Sequence, residues 1–289
     1  MSDTVILSVV NHKGGVGKTT TVVNLAHALI RLGKTSKENY TVLVIDSDPQ
    51  SNATMTLFPS SHNYDKAPTL ADVYGEHRLH IRQVVVKTDI DNLYLAPSSI
   101  DLFDVEPVLT SSGLGVEALR IALSDGTLLS PADDGPRFDF IIIDTPPNLG
   151  IFMLNSLLVS HYYLIPVECG SYYSLQGMNT LERRVSDIKM LCKDLRLLGC
   201  LPTMLDTRTA VGNATLAALR DHYREEIMET VIRRNTDLEK AASNDQTIFE
   251  FDATVNGAKD YYLLAKEVVQ KCLVGREARS VEPVVEAVA

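Results

Sequence analysis

Residues 11–20 read Asn-His-Lys-Gly-Gly-Val-Gly-Lys-Thr-Thr and follow directly on the apolar run Val5-Ile6-Leu7-Ser8-Val9-Val10. A strand running into a glycine-rich loop, with a helix pattern opening at Thr19, has the form of a phosphate-binding loop. Gly14, Gly15 and Gly17 let the backbone turn with its N–H groups facing inward, so that the loop wraps phosphate without side-chain clashes. Lys18 offers a point charge to the outer phosphates, and the Thr19 hydroxyl is placed to ligate Mg²⁺. The opening helix adds the positive end of its dipole at the same spot. Lys13, Gly14, Gly15, Val16, Gly17, Lys18, Thr19 and Thr20 are therefore the candidate nucleotide contacts.

Lys13 is a second basic residue at the entrance of that loop. The chain enters there from the strand, so a lysine at this position does not easily reach its own bound phosphates, whereas it could reach those of a facing subunit. This spacing predicts a nucleotide-dependent dimer; the plain alternative is a solvated surface lysine.

Two further strands end in carboxylates. Val42-Leu43-Val44-Ile45 leads into Asp46-Ser47-Asp48-Pro49-Gln50, and Phe138-Asp139-Phe140-Ile141-Ile142-Ile143 leads into Asp144-Thr145-Pro146-Pro147. Acids at i and i+2 beside a triphosphate suit Mg²⁺ hydration and the positioning of a water, and an aspartate at a buried strand end is a usual Mg²⁺ support in phosphate-loop proteins. Each one singly reads equally well as a turn or capping aspartate. Three together in one such chain read as chemistry.

These residues need a scaffold, and the sequence alternates strand and helix throughout. Further strand candidates are Leu93-Tyr94-Leu95-Ala96-Pro97, Tyr162-Tyr163-Leu164-Ile165-Pro166-Val167 and Leu197-Leu198-Gly199-Cys200-Leu201. Helical stretches fall at 20–32, 114–124, 149–159, 177–195, 213–229 and 258–273. Short runs apolar on both faces, separated by helices, specify an α/β fold with a mostly parallel twisted sheet and helices on both faces. Ligands in such sheets bind at the carboxyl ends of strands, where the glycine loop and all three aspartates fall. The segment 34–40 reads as a polar turn, 124–137 as a surface loop, and 276–289 as a loosely ordered tail after a single 1–275 domain.

The composition bounds the alternatives. The chain has 289 residues, 45% apolar, with a formal net charge of −10. That charge argues against a protein coating nucleic acid with its whole surface and leaves room for a local basic patch. The four cysteines are scattered and form no CxxC pair, which speaks for a reducing cytosol over a metal or disulfide framework. No secretory leader pattern opens the chain, and the apolar stretch 149–167 is broken by Asn155, Ser156, Ser160 and His161, a poor membrane span.

Lys13-Gly-Gly-Val-Gly-Lys-Thr-Thr, Asp46-x-Asp-Pro-Gln and Asp144-Thr-Pro-Pro together resemble the ParA-type partition ATPases, part of the deviant Walker A group that also holds MinD-like proteins, nitrogenase iron proteins and arsenite-pump ATPases. The likeness runs from about Val5 to Cys272, through Pro97-Ser98 and the segment beginning Asn256-Gly-Ala-Lys-Asp-Tyr-Tyr. It implies a phosphate-loop fold, ATP and Mg²⁺, and a homodimer bridged by ATP in which Lys13 crosses to the partner's nucleotide. Lys18, Thr19 and the glycines would hold phosphate and Mg²⁺. Asp46 and Asp144 would support the metal, and Asp48 would orient the attacking water. Asp206-Thr207-Arg208 falls where the family places residues near the base or the dimer face.

Two departures stand out. The family's Pro-x-Gln-x-Glu-Tyr appears here as Pro166-Val-Glu-Cys-Gly-Ser-Tyr-Tyr, with one extra residue and a shifted acid. Its Pro-Arg-Asn appears as Ile232-Arg233-Arg234-Asn235.

The resemblance further implies slow hydrolysis stimulated by a centromere-binding or adaptor protein, sequence-independent DNA binding in the ATP state, and a cytoplasmic, nucleoid-associated protein that segregates a plasmid, chromosome or other cargo. Candidate DNA contacts are Lys189, Lys193 and Arg196, expected as a stripe beside the apolar face of one helix, with Arg183 and Arg184 a turn earlier. Arg220 with Arg224, and Arg233 with Arg234, add to them. Solvated charge is the common alternative for any one stripe.

A MinD-like membrane-cycling ATPase is the competing reading. It calls for a basic amphipathic C-terminal helix, whereas residues 280–289 are acidic and broken by Pro283, so no stable membrane association is expected. An electron-transfer ATPase would need cysteines converging on a cluster, and none of the four follows a nucleotide strand in that way.

Overall fold

The computed structural model describes residues 4–36, 40–75, 79–124, 136–170, 178–192 and 194–281. Its strands are β1 (Val5–Val9), β2 (Val42–Asp46), β3 (Val86–Lys87), β4 (Leu93–Ala96), β5 (Phe140–Asp144), β6 (Tyr162–Glu168) and β7 (Arg196–Thr203). They form one sheet in the order β3-β4-β2-β5-β1-β6-β7, parallel except for the short antiparallel edge β3.

The helices are α1 (Lys18–Ser36), α2 (Asn52–Leu57), α3 (Leu70–Tyr74), α4 (Ile81–Val84), α5 (Leu102–Ser111), α6 (Ala118–Ser124), α7 (Ile151–Val159), α8 (Met178–Leu191), α9 (Ala210–Tyr223), α10 (Thr236–Ser243), α11 (Ile248–Asp252) and α12 (Asn256–Val281).

Strand residues alternate between two cores, as the two-residue period of a strand requires. Val5, Leu7, Val42, Val44, Phe140 and Ile142 pack in a core shared with α1 and α12, while Ile6, Leu43, Ile45, Ile141 and Ile143 pack in one shared with α3, α6 and α7. A third core joins β6 and β7 to α8 and α9. The expected α/β architecture is therefore present.

Several boundaries differ from those expected. Helix α1 does not stop at 32 but runs to Ser36, and Gly33 within it lies so close to Tyr40 that a Cβ there would sit 2.6 Å from the Tyr40 nitrogen. Gly33 serves close packing rather than termination. Residues 34–36 of the expected turn are thus helical, and 37–39 lie outside the described residues. The expected surface loop at 124–137 falls mostly outside them as well. Helix α9 ends at Tyr223, short of 229, in a 3-10 turn over Arg224–Glu226. At the far end α12 continues to Val281, so the first residues of the expected tail are helical and 282–289 lie outside the described residues.

Candidate functional site at the carboxyl ends of the strands

Strand register sets the level of the site. Val9 pairs with Asp144, and Asp144 pairs with Asp46, so the exit of β1 and both strand-end carboxylates share one row across the sheet. The glycine loop leaves β1 immediately above that row.

The loop and its entry are braced by three hydrogen bonds to parts of the chain far away in sequence. Asn11 donates through Nδ2 to the Pro166 carbonyl (2.8 Å) and accepts through Oδ1 from the Lys13 N–H (3.0 Å). Thr145 donates to the Val9 carbonyl (2.8 Å), and Thr203 to the Val16 carbonyl (2.9 Å). Gly15 (φ +73°) and Gly17 (φ +88°) take the left-handed conformation that the turn requires. Lys18 opens α1, is buried, and donates through Nζ to the Lys13 carbonyl at 3.1 Å, which folds its ammonium over the loop.

The three aspartates are buried around this loop. Burial lifts the Asp46 pKa to about 6, against hydrogen bonds from the Thr54 hydroxyl and N–H and from the Asp48 N–H. Burial, reinforced by the nearby Asp46 charge, drives Asp144 well above the usual carboxylate range, with the Thr19 side chain offsetting part of the penalty. Both Asp144 carboxylate oxygens are buried without a well-aligned hydrogen-bond partner among the described residues. Asp48 is likewise raised by burial, with the Gln50 N–H and the Lys18 charge opposing. Lys18 is lowered by burial, with Asp144 and Asp48 opposing.

Acids crowded together in a buried site, with only Thr19 opposing the burial of Asp144 by a hydrogen bond, are stabilised by a cation. The donor set of carboxylates and the Thr19 hydroxyl is hard oxygen chemistry and fits Mg²⁺. Among the described residues no cluster of three or more His, Cys, Asp or Glu could hold a metal by itself.

Lys13 points along β6, where its Nζ lies 3.3 Å from Glu168 Oε2. Glu168 is the shifted acid of the departure noted in the sequence.

On the other flank, a cleft of about 670 Å³ is lined by Asp206, Thr207, Arg208, Arg234, Asn235 and Asn256 among others. A smaller one of about 160 Å³ connects Gly17 and Thr20 to Met204 and Asn235. Met204 is held at φ +53°, a strained conformation for its residue type, with its methyl 3.8 Å from where a Gly17 Cβ would lie.

The candidate DNA contacts do not form the expected single stripe. Helix α8 ends at Leu191, and Arg196 opens β7 instead of continuing the helix. Lys189 is half-buried with its ammonium 5.4 Å from the centre of the Tyr163 ring, and Lys193 lies outside the described residues. Arg233 is paired with the buried Asp260 of α12 through both guanidinium and backbone N–H. Arg183, Arg184, Arg220, Arg224 and Arg234 are exposed. Glu182 accepts from Tyr223 Oη (2.9 Å) and meets His222 Nε2 (3.0 Å), which seats α8 against the end of α9.

Sequence reasoning assigned no role to Thr203, Thr145, Thr54 or Glu168. Thr203, Thr145 and Glu168 reach the loop and its entry only when distant strands meet there, and Thr54 reaches Asp46 from α2.

A central β1 leading into a braced glycine loop, with carboxylates at the ends of two neighbouring parallel strands, defines a P-loop nucleoside triphosphatase fold. A family model described as an AAA domain matches residues 4–197. The sporulation initiation inhibitor protein Soj of Bacillus subtilis (strain 168) is 36% identical over 266 residues, covering 91% of this chain and 97% of Soj. The chromosome partitioning protein ParA of Myxococcus xanthus (strain DK1622) is 32% identical over 267 residues, covering 92% and 88%. Among solved structures, cobyrinic acid a,c-diamide synthase from Mycobacterium smegmatis with bound ATP analog and magnesium superposes with a TM-score of 0.74 at 31% identity, covering 94% of this chain and 97% of that one. The chain belongs to the ParA-type partition ATPases of the ParA/MinD superfamily. No described helix is long and apolar enough to cross a membrane.

Proposed function

We propose that this chain is an ATPase that dimerises around two ATP molecules with Mg²⁺, binds DNA without sequence preference in that state, and releases it upon hydrolysis to segregate or position a plasmid, chromosome or other cargo. The observation that carries the reading is that Asp46 and Asp144 share one row at the ends of β2 and β5, with buried Lys18 and Asp48 beside them. Lys18 and the loop N–H groups hold phosphate. Thr19, Asp46 and Asp144 would hold Mg²⁺, whose charge neutralises that developing on the phosphates. Asp48 orients the attacking water, and Lys13 reaches the nucleotide of the facing subunit. Turnover is slow until a centromere-binding or adaptor protein stimulates it, and the protein is cytoplasmic and nucleoid-associated in its ATP state.

Nucleotide binding and light scattering on two variants test this. Lys18→Ala loses ATP binding, whereas Asp48→Ala binds ATP and accumulates as a dimer. A monomeric Asp48→Ala that hydrolyses ATP normally would overturn the assignment. Sedimentation with liposomes in the presence of ATP separates this reading from a membrane-cycling one, since the partition reading leaves the protein in the supernatant.

A further inference from the structure

Asp48 does not hold its own position. After β4 the chain turns through Pro97-Ser98, and Ser98 is completely buried. Its Oγ donates to the Asp48 carbonyl at 2.6 Å. Its N–H donates to Thr54 Oγ1 at 2.9 Å, and the Thr54 hydroxyl in turn donates to Asp46 Oδ2 at 2.7 Å. Asp46 Oδ1 accepts from the Asp48 N–H at 3.1 Å, which closes a ring of contacts from Ser98 through Thr54, Asp46 and Asp48 back to Ser98. From outside the ring Tyr64 Oη donates to the Ser98 carbonyl at 2.8 Å, and Tyr64 is only half-buried.

Each member uses its hydrogen-bonding capacity in one direction: Thr54 Oγ1 accepts from Ser98 and gives its proton to Asp46, and Ser98 gives its proton to Asp48. A ring with no spare donor has one arrangement. Buried networks of this kind fix geometry more than they add stability. The peptide of Asp48 is thereby held at its N–H by Asp46 and at its carbonyl by Ser98, with the Ser51 N–H on the same carbonyl. Its side chain accepts from the Gln50 N–H through Oδ1.

We propose that Ser98 is a positioning residue for hydrolysis, setting through the Asp48 carbonyl and Thr54 where the Asp48 carboxylate stands relative to the attacking water, with Tyr64 as its outer support. This rests on the reading that Asp48 orients that water. Precise placement of a reacting group is worth large rate factors, and an ångström of drift is felt.

The test is single-turnover hydrolysis in ATP dimers assembled beforehand from the full chain, with Asp48→Ala as reference. Ser98→Ala should hydrolyse about tenfold more slowly, and Tyr64→Phe about threefold, while both form dimer at an unchanged ATP concentration. A role in the fold alone would instead lower ATP binding and dimer formation together with the rate. Wild-type rates in both variants, or loss of ATP binding in step with rate, would overturn the proposal. Should Ser98→Ala fail to fold, Tyr64→Phe decides on the same readout. If Asp48→Ala itself hydrolyses at the wild-type rate, the role of Asp48 fails and the role of Ser98 falls with it. If only Asp48→Ala is slow, Ser98 alone is dismissed.

Discussion

The Lys13 ammonium and the Glu168 carboxylate form an ion pair across the mouth of the nucleotide loop, Nζ to Oε2 at 3.3 Å. Both side chains are part-exposed, 33% and 23%, so the pair is a weak tether. It nonetheless bears on the proposed dimer, because a lysine that serves the facing subunit must first leave the carboxylate on its own β6.

Glu168→Gln should therefore favour the dimer. A tether of this exposure is worth about 0.2–1 kcal/mol, or up to about fivefold in equilibrium. The ATP concentration giving half-maximal dimer in light scattering should fall by that factor, and the benefit should shrink in high salt. An unchanged or raised midpoint would mean that Glu168 does not restrain Lys13.

Thr203→Val keeps the volume and removes the hydroxyl that satisfies the buried Val16 carbonyl. An acceptor left unpaired costs about 1–3 kcal/mol. Because that acceptor lies inside the loop, the loss should appear as weaker nucleotide binding as well as a lower melting temperature. A variant that melts early yet binds ATP normally would place the bond outside loop control.

For the proposed DNA contact, the exposed arginines of α8, α9 and the 3-10 turn after α9 are the better candidates. Arg220→Ala with Arg224→Ala should reduce ATP-dependent DNA retention and flatten its salt dependence by about two counterions, with hydrolysis unaltered. Arg233→Ala should behave otherwise: it leaves the buried Asp260 without its main partner and should cost about 1.5–3 kcal/mol of stability. Denaturant titration beside a filter-binding assay distinguishes the two effects.

His27 supplies a pH dependence away from the nucleotide. It is buried in α1 against Phe249, and burial lowers its pKa to about 4. Its Nδ1 lies 2.8 Å from Thr247 Oγ1, whose own proton goes to Glu250, so the ring donates to Thr247 through Nδ1. Between about pH 6.5 and 4 the unfolded chain takes up a proton here that the native state refuses. Stability should thus fall by about 3 kcal/mol over that window as pH drops, and His27→Gln should remove that slope from urea titrations. A slope unchanged in the variant would assign it to other groups.

What could be read from the sequence is what is local. The glycine loop, Lys18, Thr19 and the three strand-end aspartates lie within a few residues of the strands that place them, and unbroken apolar runs and helical periods mark those strands and helices directly. The supports of the site were not legible, since Thr203 meets Val16 and Asn11 meets Pro166 only through the sheet order. Arg196 misleads for a different reason. Val185, Ile188, Cys192 and Leu195 keep a helical spacing, and Leu195 is indeed buried in the same core, but it arrives there after α8 has already ended. Hydrophobic period reports burial, and a turn can continue it by chance.

Tyr261 of α12 meets Thr21 of α1 at 3.4 Å although the two are 240 positions apart. Ala258, Leu264, Ala265 and Val268 share the core that backs α1, the helix whose first turn carries Lys18 and Thr19. During synthesis the nucleotide loop leaves the ribosome long before the helix that steadies it. A nascent chain should accordingly gain its grip on triphosphate late and abruptly.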